Sequence, residues 1–61
     1  MLHVFQEVER MRTELKNLRL LAQADEITYR QKGELHTAER FKKLEAKLAE
    51  AIHLLDIEQS E

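Results

Sequence analysis

The chain has no proline and a single glycine, Gly33, which divides its 61 residues almost in half. Proline and glycine are the strongest interrupters of helices, so one interruption leaves room for two long helices and little else. The break reads Arg30-Gln31-Lys32-Gly33-Glu34. Cations in the last turn of a helix suit its dipole, and a glycine just beyond can take the left-handed conformation that closes it. No long polar linker follows, so the connection is short and the two helices are antiparallel neighbours. The composition agrees. Leu, Ala, Glu, Lys, Arg and Gln dominate, and 36% of the residues are charged, as in long helices and coiled coils.

The apolar pattern sets the helix faces. Val4, Val8, Met11, Leu15, Leu18 and Ala22 follow one another at alternating spacings of four and three, a heptad seam. The seam next reaches Asp25, where it fails, and Tyr29 resumes it one turn later. A first helix is predicted over about residues 3–31. The second is predicted to begin between Glu34 and Thr37 and to run to about Ile57, with Ala38, Phe41, Leu44, Leu48, Ala51, Ile52 and Leu55 on one broad face. Glu26–Arg30 and Glu39–Lys43 are spaced as supporting i,i+4 pairs. The fold class is therefore all-α, one helical-hairpin domain spanning residues 1–61.

The stretch Leu18–Tyr29 faces two ways. Leu18, Leu21, Ala22 and Tyr29 continue the seam, while Leu20, Ala24 and Ile27 form a second apolar patch on roughly the opposite side. A chain this short buries a low fraction of its surface and is marginal alone. Disulfides, a metal or a partner are the usual remedies. The chain has no cysteine, and its three histidines lie far apart in sequence. A partner remains, either a second copy forming a homodimeric four-helix bundle or a different helical protein. The candidate partner-binding residues are Leu18, Leu20, Ala24, Ile27, Phe41, Leu48, Ile52 and Leu55. Within that set Leu20→Glu is the sharpest probe of a second face.

Other function classes find little to stand on. His3 and Glu7 are spaced i,i+4, but two ligands do not make a metal site, and His36 and His53 read as surface residues. The only serine is Ser60, and there is no glycine-rich phosphate loop, so neither an enzyme nor a small-molecule or cofactor site is expected. No apolar run exceeds three residues, so no membrane span is expected. The opening residues lack a basic segment followed by an apolar core, which makes the cytoplasm the default expectation. Charge is mildly asymmetric: residues 1–32 carry six Lys/Arg against five Asp/Glu, and residues 33–61 carry four against seven. One nucleic-acid candidate stands beside this. Arg12, Lys16 and Arg19 line a flank of the first helix with Phe5 near its end, and a two-fold axis would double them into a basic stripe. The plainer reading is that these cations pair with Glu9, Glu14 or acids of the second helix.

Three resemblances follow from these residues. Tyr29-x-x-x-Gly33-x-Leu35-x-x-Ala38 looks like the turn of a tetratricopeptide-type hairpin, where a Tyr packs under the turn and a small Ala lets the helices approach. Phe41 falls one residue before that motif's aromatic position, and the Trp-Leu-Gly signature of the motif's first helix is absent. The whole chain, a single hairpin with one central glycine and the segment Lys47-Leu48-Ala49-Glu50-Ala51-Ile52-His53-Leu54-Leu55, is similar to the small co-chaperones of type III secretion needle subunits. That resemblance implies a cytosolic hairpin docked on a helical-repeat chaperone, shielding an aggregation-prone subunit. Small plasmid-type RNA-binding dimers share the paired-hairpin architecture, with Phe5, Arg12, Lys16 and Arg19 loosely matching their basic and aromatic face. The expectation is a non-enzymatic interaction module, an adaptor, co-chaperone or regulator. An RNA-binding homodimer and a purely structural bundle are the alternatives.

Overall fold

The computed structural model describes the backbone of residues 2–60 and the side chains of residues 4–57. The chain forms two α-helices, α1 (Leu2–Gln31) and α2 (Leu35–Ser60), with no strand among the described residues. This is the all-α hairpin expected from the single glycine. The second helix continues three residues past the predicted end at Ile57. Its tail Glu58-Gln59-Ser60 holds good helix formers and no proline to stop it.

The turn works as its sequence implies. Gly33 has φ +83°, the left-handed conformation that costs glycine nothing. The Glu34 amide donates to the Tyr29 carbonyl at 2.9 Å and the Gly33 amide to the Arg30 carbonyl at 3.0 Å. These two bonds are the Schellman closure of a helix, and they satisfy carbonyls that would otherwise lack partners. The Ala38 amide then donates to the Glu34 carbonyl at 3.0 Å, so α2 starts at once. Only three residues separate the helices, and the chain must fold back on itself.

Small side chains set how closely the helices approach. Ala38 is fully buried, Ala22 nearly so, and Ile52 is the third buried apolar residue. Near the turn, the Tyr29 and Phe41 rings stack with centroids 5.5 Å apart and planes 7° apart. The Lys32 ammonium lies 5.4 Å above the centre of the Tyr29 ring. The Tyr, Gly and Ala positions of the turn thus each have a physical role: a stacked ring, a left-handed link and a close contact.

The hairpin is a slab, with Cα extents of 48 × 15 × 10 Å. Two helices offer each other one stripe apiece, and the flanks of those stripes have nothing to pack against. Eleven large apolar residues are consequently exposed among the described side chains, while the buried apolar ones are Ile52 and the two small residues Ala22 and Ala38. Burial this slight gives the hydrophobic effect little to set against the entropy of ordering the chain.

Candidate functional site

The two flanks of the α1–α2 seam differ in chemistry, and the difference follows from helix periodicity. On one flank, polar groups cross between the helices. Arg12 Nε lies 2.8 Å from Asp56 Oδ1, a contact of charges more than an aligned hydrogen bond. Arg19 Nε donates to Glu45 Oε1 at 3.0 Å, and the Gln23 amide donates to the same oxygen at 2.9 Å. Nearer the turn, Arg30 donates to Glu26 at 2.9 Å and to Glu39 at 3.4 Å. Positions 12, 19, 23 and 30 recur at spacings of seven, four and seven, so they stay on one side of α1 for its whole length.

These contacts shift two groups. The Glu45 carboxyl is held below the usual glutamate range, first by the Gln23 hydrogen bond and then by Arg19. The Arg30 guanidinium is pushed up, first by Glu26 and then by Glu39. Glu39 thus reaches across to Arg30, where sequence spacing had placed it with Lys43 on its own helix. The Glu26–Arg30 pair forms as spaced.

The other flank is apolar and open. Leu18, Leu21, Ala22 and Asp25 of α1 and Phe41, Leu44 and Leu48 of α2 line a shallow depression. Towards the open end it continues through Leu18 into a second, between Met11, Glu14 and Leu15 on α1 and Ala51 and Leu55 on α2. Towards the turn it continues past Phe41 and Leu44 to Thr37 and Arg40. The result is one groove along most of the hairpin. Leu18, Leu21 and Leu44 are 49%, 56% and 48% exposed within it.

The candidate residues separate cleanly on this surface. Leu18, Phe41, Leu48 and Leu55 line the groove. Ile52 is buried inside the hairpin, so its role is to hold α2 on α1 and it offers nothing to a partner. Leu20 and Ile27 are 63% and 57% exposed and Ala24 is exposed, but none of them lines the groove. Leu20 and Ile27 lie on the back of α1, at least about 100° around the helix from Leu18 and Leu21, and Ala24 lies between that back and Leu21. Met11, Leu21 and Leu44 join the groove without having been singled out as partner-binding residues. Their signal was present, since each lies on the apolar stripe of its helix.

The nucleic-acid candidates lie elsewhere. Phe5 is exposed near the start of α1. Arg12 and Arg19 are engaged by Asp56 and Glu45, and Arg12 also by Glu9 at 3.6 Å. Lys16 sits exposed between them. Glu7 is paired with Arg10 at 3.5 Å, and the side chain of His3 lies outside the described residues. Among the described residues no cluster of three His, Cys, Asp or Glu is placed to hold a metal ion, and no helix is long and apolar enough to cross a membrane. No protein-family model, curated protein or solved structure matches the chain. The groove geometry therefore carries the functional reading by itself.

Proposed function

We propose that this chain is a non-enzymatic protein–protein interaction module whose open groove is completed by helices of a protein partner, as in a four-helix bundle. The observation that carries the reading is the continuous run of half-exposed leucines, Leu18, Leu21 and Leu44, on one flank of a hairpin that buries only three apolar side chains among those described. Scattered apolar exposure is ordinary on protein surfaces, but a contiguous stripe at helical spacing with charged edges is the form of a helix-in-groove site. Adaptor, co-chaperone and regulator roles all use such a face, and a cytoplasmic setting belongs to the proposal. RNA binding draws less support, because two of the three guanidinium and ammonium groups on the flank of α1 are already engaged by acids of α2.

The test compares the chain with Leu18→Glu/Leu44→Glu. Immobilised wild-type chain should retain a helical protein, a second copy included, and the double variant should lose it. Equal retention by both, or retention by neither, would contradict the reading. Binding that persists in the variant but weakens steeply with salt would transfer the function to a nucleic acid.

A further inference from the structure

Resting on that reading, we propose that the helices covering the groove are those of a second copy of this chain, related by a two-fold axis parallel to the helices so that both turns lie at the same end. The charges around the groove point to this occupant. Asp25 lines the α1 side of the depression and Arg40 the α2 side, and both flank Phe41 and Leu44. Neither makes an ion pair among the described residues, although most of the arginines in the chain do. Within one chain they sit on opposite edges of the groove and cannot serve each other.

The two edges differ in sign. Asp25 and Glu14 border the groove on α1. Arg40, Lys43 and Lys47 border a depression beside Leu44 on α2. A surface acidic along one edge and basic along the other is complementary to itself under a two-fold rotation. An axis parallel to the helices lays α1 of one copy over α2 of the other, with no change of level along the bundle. The cross-hairpin contacts fix those levels. Gln23 meets Glu45 and Tyr29 meets Phe41, so Asp25 is level with the stretch between residues 41 and 45. The rotation therefore sets Asp25 within a turn of Arg40 of the second copy, a span an arginine side chain covers. An axis across the helices gives the opposite result. It lays α1 on α1 and α2 on α2, so the acidic edges meet, and so do the basic ones.

The size fits as well. The whole face, outlined by 48 × 15 Å, is about 700 Å² per copy, so a symmetric pair that covers it end to end, beyond the groove between Thr37 and Leu55, reaches the roughly 1,200–2,000 Å² range of stable interfaces. A charge at a seam position is a device for fixing register and orientation at some cost in stability, and Asp25 occupies that place in the heptad pattern.

Sedimentation equilibrium and a spin-label distance on the full chain test the proposal together. The chain has no cysteine, so Glu34→Cys places one label at the exposed turn. The expected result is a dimer with labels roughly 20–30 Å apart, two to three helix diameters. A dimer with labels about 48 Å apart, the length of the hairpin, would overturn the same-end arrangement and leave the docking face standing. A monomer that is poorly helical alone would overturn the second copy as occupant, again without touching the docking face. A fully helical monomer whose melting is independent of concentration would overturn both. Charge reversal adds a check on register: Asp25→Arg and Arg40→Asp should each weaken association at least about tenfold, and the double variant should recover most of it. Additive losses in the double variant would refute the pairing.

Discussion

Gly33 offers a sharp test of how the hairpin closes. Its φ of +83° is unfavourable for an L-residue, yet a Cβ built there meets nothing within 4 Å. Any penalty at this position is therefore conformational and owes nothing to crowding. Gly33→Ala should cost about 1–2 kcal/mol, the usual penalty for an L-side chain in the left-handed region. Gly33→D-Ala has the same atoms with the opposite handedness. Its preferred φ is positive, it keeps the amide that donates to Arg30, and it restricts the unfolded chain. It should stabilise by about 0.4–1 kcal/mol. The gap between the two epimers is then about 1.5–3 kcal/mol. At 61 residues both chains are accessible by synthesis, and urea titration followed by circular dichroism at matched concentration measures the gap. Equal stabilities for the two epimers would show that the closure does not require a left-handed residue in solution.

Further expectations concern packing and charge. Leu44→Ala should weaken association more than Leu20→Ala, although both leucines are about half exposed in the single hairpin. Burying the exposed half of Leu44 contributes about 0.7–1.5 kcal/mol per copy, or about tenfold to a hundredfold in a symmetric dimer. A Leu20 effect of that size with none at Leu44 would move the docking face to the back of α1. Ile52→Ala should destabilise by about 2–5 kcal/mol, enough to leave the chain largely unfolded at low concentration, and an unchanged melt would mean that the buried seam is misplaced. Because the folded state depresses the Glu45 carboxyl, its stabilising contribution is full above the unfolded value near 4.3 and is lost as pH falls through the lower folded value. Glu45→Gln should flatten that part of the acid-denaturation curve, and a curve identical to wild type would contradict the Arg19–Glu45–Gln23 cluster.

Much of the fold was legible in the residues because its determinants are local. A lone glycine after Arg30-Gln31-Lys32 specifies where the chain reverses, and heptad spacing specifies which residues face inward. The open flank was not legible in the same way. Which side of each stripe stays uncovered depends on how the helices rotate about their axes, and non-local contacts decide that: Ala38 buried near the turn and Ala22 about three helical turns from it, Arg12 on Asp56, and Arg19 and Gln23 on Glu45. Leu20, Ala24 and Ile27 form a patch on any helical projection, but only the assembled hairpin shows that the larger apolar surface runs through Leu18, Leu21 and Leu44. Ile52 looked equally fit to meet a partner or to hold the hairpin, because both roles need the same side chain, and its burial assigns it to the hairpin. Glu39 was spaced to pair with Lys43 on its own helix, and the turn brings Arg30 to it from the other helix.

Hydroxyl-radical footprinting at a concentration where the helices are fully formed reads the covering of the groove directly. Met11, Leu18, Leu21 and Leu44 should be protected, while Leu20 and Ile27 stay reactive, although all six are exposed in the single hairpin. Groove residues as reactive as Leu20 and Ile27 would show that the face stays open in solution, and the docking role would fall with it.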